Sequence, residues 1–324
     1  MPRLSPRQRL YGPALAACLL TATAAWAEDR AEVAFHPEPG RLRITLGGEP
    51  LADYVFRDDA IPRPYFAHVH APGGTPVTRN HPPVTGTDPT DHAALHPGLW
   101  MAFGDLSGAD SWRNRAPIEH VEFVEPPRGG PGRGTFAVEN LYRSASGHAI
   151  LCREVCRATI LARPAGTLLI VESKFASDAG DVAFGDQEEM GLGVRVATPL
   201  AVTHGGRILN SDGARDEGQV RGRAADWCDD SGTIGDRRAG VTLMPDPRNF
   251  HRSWYHARDY GLLVANPFGR KSLGKGPESR VVVKRGETFR LGFGILLHSA
   301  PAGREIDLAA AYRDYLEQIE PPGP

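Results

Sequence analysis

Between Arg63 and Trp112 the chain carries five of its twelve histidines, His68, His70, His81, His92 and His96, among Arg79, Asn80, Asp88, Asp91, Asp105 and Asp110. Imidazole changes charge near neutral pH, so such a set can move protons or, when neutral, ligate a metal. Prolines and glycines interrupt the stretch, which reads as loops held over a scaffold rather than as helix. Two spacings carry physical meaning. His92-x3-His96 would put both rings on one face of a helical turn, and His68-x-His70 would put both on one face of a strand. Asp91 can orient the imidazole beside it or join it as a ligand. His92 and His96 are therefore the first candidates for proton transfer. His68, His70, His92 and His96 are the candidates for a divalent metal, should one be bound. No Glu lies between His92 and His96, and Pro97-Gly98 follow at once, so the zinc-protease pattern is not present. The plainer alternative is that these histidines cap turns and bond to backbone.

Three further clusters could complete a site. Gly185-Asp186-Gln187-Glu188-Glu189-Met190-Gly191 sets carboxylates just before an apolar strand, and Glu188 or Glu189 is the candidate base. His251, Trp254 and His256 lie in a second polar stretch, and Arg270-Lys271 could hold a carboxylate or phosphate. Arg79, Asn80, His81 and Asp91 could hold substrate in the same way. An aromatic face beside planar polar side chains suits a sugar ring, which is apolar on its C–H face and polar at its hydroxyls. Trp112 and Trp254 are the rings proposed for that role; Trp100, inside Leu99–Phe103, reads as core. The implied partner is a small molecule or an oligosaccharide. No Ser-His-Asp order, nucleotide-binding loop, dinucleotide fingerprint or thiol-catalyst signature occurs.

The scaffold that must position these residues reads as β. Alternating or apolar runs predict strands at Arg41–Leu46, Leu51–Phe56, Tyr65–Val69, Val121–Val124, Gly134–Tyr142, Ala149–Leu161, Thr167–Phe175, Leu192–Thr198, Val241–Met244, Gly261–Ala265, Arg280–Lys284 and Phe289–His298. Gly47-Gly48 offers a hairpin turn. His204–Gly240 reads as a long polar excursion. One helix stands out at Asp307–Ile319, with Asp307 as its N-cap. The fold class is all-β, a large antiparallel sandwich with one C-terminal helix.

Arg3, Arg7 and Arg9, the apolar run Ala14–Ala25 and the Ala25-Trp26-Ala27 motif predict a signal peptide over Met1–Ala27. Residues 28–324 would then form a single domain in the periplasm or outside the cell. Leu15-Ala16-Ala17-Cys18 also fits a lipoprotein box, which makes lipid anchoring at Cys18 the alternative. No other segment approaches 18 uninterrupted apolar residues, so membrane insertion is not expected. Lys+Arg number 37 against 39 Asp+Glu, with no basic run, which argues against a nucleic-acid partner. Cys152 and Cys156, four strand residues apart, would sit about 13 Å from each other, beyond disulfide reach. Either could pair with Cys228, but small buried side chains are the simpler reading.

The segments RPYFAHV, PVTRNHPP, TDHAALHPGLWMAFGD, GDQEEMGLGVRVATPL and NPFGRKS, in that order, resemble the PmoA-like family, whose label refers to a methane oxygenase. Many relatives carry Asp-His-Pro-His-His-Arg where this chain has Asp91-His92-Ala93-Ala94-Leu95-His96-Pro97. Only His92, and His96 by its place in the run, carry over. The label is not taken literally, because the membrane subunit it names spans the bilayer several times. The resemblance implies a galactose-mutarotase-like β-sandwich. With the clusters above, it points to a carbohydrate-active enzyme in which His92 or His96 is the acid and Glu188 or Glu189 the base. A non-catalytic sugar-binding protein and a His-ligated metal-dependent oxidase or oxygenase are the alternatives.

Overall fold

The computed structural model describes residues 31–320; the predicted leader Met1–Ala27, with Cys18, lies outside them. Two antiparallel sheets face each other. The nine-stranded sheet runs in the order Trp254–Arg258, Leu262–Asn266, Met190–Arg195, Leu99–Phe103, Tyr65–Ala67, Glu49–Val55, Arg41–Leu46, Glu32–Glu38 and Gly130–Pro131. The eight-stranded sheet runs Arg207–Asn210, Cys228–Ile234, Arg237–Pro245, Thr288–Pro301, Gly166–Ala176, Ile150–Arg163, Arg133–Arg143 and Ile118–Arg128. The predicted sandwich is the observed one.

Pairing register explains which residues are inside. Ala257, Leu263, Val194, Leu99, Phe66, Tyr54 and Leu42 lie opposite one another across seven strands of the nine-stranded sheet. Side chains alternate along a strand, so this whole row points one way. Six of the seven are apolar aliphatic or phenyl groups, the seventh is the Tyr54 ring, and all are buried in the cluster that also holds Phe136, Val171, Phe175, Phe293 and Ile295 of the other sheet. Glu154 is buried in that core with its carboxylate hydrogen-bonded by Asn140 Nδ2 at 2.9 Å, and burial raises its pKa. The neighbouring row, His256, Val264, Gly193 and Trp100, points to the outer face of the sheet. Function has to be sought there.

Gly47 and Gly48 form the predicted turn, both at positive φ, and Leu46 pairs with Glu49 across it. The C-terminal helix is Leu308–Ile319, capped by Asp307, which accepts a bond from Ala310 N at 2.8 Å. It packs Leu308, Ala311 and Tyr315 on Leu161, Leu168, Met244 and Leu296. Several elements depart from expectation. His204–Gly240 is not an excursion but holds strands Arg207–Asn210 and Cys228–Ile234 and a short helix at Asp216–Val220. Trp254–Arg258, read as part of a polar loop, is a strand; Leu99–Phe103 is a strand too, and its expected burial holds. His68 has φ 49 and lies outside the strands, so the strand alternation expected for His68-x-His70 is broken. Cys152, Cys156 and Cys228 are all free thiols. Among the described residues no helix is long and apolar enough to cross a membrane.

Gly193 is where two rings press on the sheet. A Cβ there would lie 2.6 Å from Trp112 and 3.0 Å from Trp100. Gly193→Ala is expected to lower stability by about 1–3 kcal/mol through overpacking, seen as a lower urea midpoint with an unchanged m-value.

Candidate active site

The outer face of the nine-stranded sheet is roofed by the His-rich loops, and two buried guanidinium groups fix that roof. Arg63 donates to the carbonyls of Trp112 at 2.9 Å and Leu95 at 2.6 Å. Arg79 donates to those of Pro89 at 2.9 Å, Asp91 at 2.8 Å and His96 at 3.2 Å. Such forks satisfy loop carbonyls that would otherwise be buried without partners. Arg79 is therefore a brace and not the substrate-binding residue expected. Trp112, 0% exposed, packs edge-on against Trp100 at 5.1 Å and is core, not a sugar platform.

His92 to His96 form one helical turn, with His96 N donating to the His92 carbonyl at 2.9 Å. The spacing thus acts as a helix would, and the two rings stack at 4.9 Å with 20° between planes. His96 stacks in turn on Trp100 at 5.3 Å. His96 is 2% exposed, and burial, reinforced by Arg195, pushes its pKa down to about 2. It is a neutral spacer that supports His92, not a proton donor. With 20° between their planes, the two rings do not turn their nitrogens toward one point in this arrangement. His68 is engaged elsewhere, by Asp53 and the His81 carbonyl. Among the described residues no group of three or more His, Cys, Asp or Glu side chains is poised to hold a metal.

The groups that remain available gather beside that stack. Arg195 leaves its strand on the outer face, is 1% exposed, and holds both oxygens of Asp91 at 3.0 and 3.1 Å. The Tyr260 ring covers its guanidinium at 4.4 Å. The second partner of Asp91 is His92 Nδ1 at 2.9 Å. Partial burial opposes ionisation of Asp91, but His92 and Arg195 hold its pKa down to about 2. An ionised carboxylate only accepts, so Nδ1 carries the hydrogen and Nε2 of neutral His92 keeps its lone pair. His92 itself has φ 49, a left-handed conformation in which strain is stored at functional sites.

The Glu188-Glu189 turn supplies carboxyls of opposite character. Burial raises the Glu189 pKa, and Glu188 and Asp110 add to this against the pull of Arg113 and His92. Glu189 is bonded by Arg113. Burial also works against Glu188, but His256, Arg221 and Arg258 hold its pKa below the usual range. Arg221 bonds Glu188 directly, and His256 Nδ1 lies 3.6 Å from it. His256 is buried, which lowers its pKa to about 4 despite that carboxylate. Glu189 feels both Glu188 and His92, and Glu188 lies beside His256, so these four residues form the candidate cluster.

Other candidates do different work. Asn80 donates to Asp88 at 2.9 Å and steadies its own loop. His81 lies beside Tyr65, 5.3 Å between rings. His251 stacks on Trp254 at 4.2 Å, and Trp254 is largely buried. Arg270 donates to the Pro277 carbonyl at 2.7 Å and Lys271 pairs with Glu278 at 3.1 Å, so they brace a loop rather than wait for an anion. Asp186 accepts from the backbone N–H groups of Lys271, Ser272 and Ser279 in the same loop. Arg195, Arg113, Arg221 and Tyr260 are additions to the predicted set. Arg195 had a signal: it follows Gly191 and Gly193 on the face opposite Leu192 and Val194.

The depressed pKa of Asp91 makes a pH prediction. A carboxylate with a lower pKa folded than unfolded adds stability above about pH 4 that is lost as pH falls toward 2. Asp91→Asn should cost about 2 kcal/mol at pH 7, since Asp91 is 39% exposed but Arg195 is not. The difference from wild type in urea unfolding should shrink across that acid window; a constant difference would contradict the pairing.

Among curated proteins none matches this chain. Solved structures that it resembles include an α-galactosidase from Lactobacillus brevis, with 8% identity, TM-score 0.42, and 84% of this chain against 40% of that one. Another is an α-galactosidase from Geobacillus stearothermophilus in complex with stachyose, with 12% identity, TM-score 0.40 and 77% against 40%. A galactose mutarotase related enzyme from Lactobacillus acidophilus has 12% identity, TM-score 0.31 and 84% against 99%. The chain thus spans about two fifths of the length of the two α-galactosidases. Residues 41–312 match a family described as of unknown function, DUF6807, and the chain belongs to that family.

Proposed function

We propose that this protein is a carbohydrate-active enzyme that moves protons at a sugar carbon or ring oxygen. The observation that carries the reading is an Asp91-oriented His92 near enough to Glu189 for its charge to act there. The free Nε2 of His92 is the base, because Asp91 takes the Nδ1 hydrogen. Glu189, whose burial favours the protonated form, is the acid. These roles reverse the order expected from sequence, in which a histidine was the acid. Glu188, kept ionised, borders the site and offers hydroxyl groups an acceptor, with buried His256 behind it. A base and an acid across a sugar ring serve hydrolysis, elimination and epimerisation alike. The leader read at Met1–Ala27 puts this activity in the periplasm or outside the cell.

The test is turnover on a panel of neutral and acidic sugars and their keto forms, followed by His92→Ala and Glu189→Gln on whichever substrate reacts. Each variant is expected to lose about 10²–10⁴-fold in kcat with KM changed far less. In Glu189→Gln the decline of rate on the alkaline side should also vanish, since an acid with a raised pKa is lost as pH rises through it. Full turnover in either variant would sink its assigned role. Binding without turnover across the panel would make the protein a sugar-binding one instead.

A further inference from the structure

A second polar station lies on the same outer face, in an open cleft of about 410 Å³. Asp53 and Tyr65 come from adjacent strands, and His68, Arg41, Arg57 and Asp58 stand around them. From the strand of Asp53 to that of Arg195 is three strand spacings, or ~14 Å. The catalytic constellation uses none of these residues.

The cleft is built in advance. Both ring nitrogens of His68 face acceptors, the Asp53 carboxylate at 3.0 Å and the His81 carbonyl at 2.7 Å. Both must therefore donate, which makes His68 an imidazolium. The Asp53 hydrogen bond favours that charge, and Asp53 in turn is kept ionised by His68. Tyr65 donates its hydroxyl to Asp58 at 2.5 Å, while Asp58 also caps the Ala60 and Ile61 N–H groups. Arg41 lies 3.5 Å from Asp53 and is bonded by Glu38. His68, like His92, is held at φ 49.

Charge decides the ligand class. Arg41, Arg57 and His68 supply three cations, and Glu38, Asp53 and Asp58 supply three carboxylates, all lining the cleft. A balanced set of fixed donors and acceptors favours neither an anion nor a cation. It suits a neutral ligand with many hydroxyl groups, each able to donate to a carboxylate and accept from a guanidinium. The size is that of a small-molecule site. We propose that this cleft is a second sugar subsite, which takes a neutral residue of an oligosaccharide. The inference rests on the carbohydrate reading above and narrows its substrate class from free sugars to oligosaccharides.

Calorimetric titration with neutral glucans, galactans and xylans, from mono- to tetrasaccharide, tests it on wild type, His92→Ala, Asp53→Asn and Arg57→Ala. The tetrasaccharide that binds wild type should bind at least tenfold more tightly than its monosaccharide. Arg57→Ala, a change at an exposed position, should lose about tenfold in tetrasaccharide affinity, and Asp53→Asn at least as much. Unaltered tetrasaccharide affinity in Arg57→Ala, with weakened binding in His92→Ala, overturns the subsite and leaves the proposed function standing. Failure of every sugar to bind wild type overturns both.

Discussion

A buried guanidinium determines the position of the site. Arg195 is fixed to the central strand Met190–Arg195, and its charge cannot be shed inside the protein. Leaving such a charge unmatched costs several kcal/mol, so the structure must bring it a carboxylate. Asp91 is that carboxylate, held by two hydrogen bonds. Once Asp91 is placed, the turn that follows is placed with it, and Arg79 locks the turn by its carbonyls. His92 then projects beside Asp91, and His96 fills the gap between it and Trp100. A loop with little regular structure acquires the precision of a strand, because its one essential carboxylate is tied to a strand residue.

The same logic separates two adjacent carboxyls. Glu188 and Glu189 are neighbours in sequence and share partial burial, which raises the pKa of any carboxyl. Glu188 meets Arg221, His256 and Arg258, and the balance turns toward the ionised form. Glu189 has Arg113 but also feels Glu188 and Asp110, and the balance turns toward the protonated form. Divergent environments for neighbouring acids are the usual basis of a division between donor and acceptor. Glu188, being ionised, itself helps to raise the pKa of Glu189.

The fold was largely legible because alternation survives wherever one face of a strand is buried. Arg41–Leu46 and Thr167–Phe175 announced themselves this way, and Asp307 with its apolar stripe announced the helix. Trp254–Arg258 did not. Its outward residues His256 and Arg258 belong to the polar site, so a strand read as a polar loop. The strand Cys228–Ile234 was hidden for a related reason, since it buries Asp229, Asp230 and Ser231. At the candidate site, residue types pointed to His92, Glu188, Glu189 and His256, because imidazoles and carboxyls are the groups suited to proton transfer. Sequence could not separate them from Arg79 or Trp112, whose chemistry is equally suited to a ligand. The difference is whether the side chain meets carbonyls and other rings or solvent, and only tertiary packing decides that.

The two sheets differ in how their outer faces are built, and this difference accounts for where polar stations occur. On the eight-stranded sheet Arg153 pairs with Glu139 and Arg290 with Glu172 across neighbouring strands, and Arg157 reaches Glu125 over the strand between them. Such pairs satisfy one another near the surface, where water screens them. The nine-stranded sheet instead carries Gly193 opposite Trp100, and the missing side chain lets the Trp100 and Trp112 rings lie close to the backbone. Rings there can support a loop instead of a charge ladder. A loop so supported can hold His92 partly exposed yet immobile, and the same roof, through the His81 carbonyl, fixes His68 over Asp53. Gly193 therefore makes room for the rings on which the His92 turn rests, although it touches no substrate group.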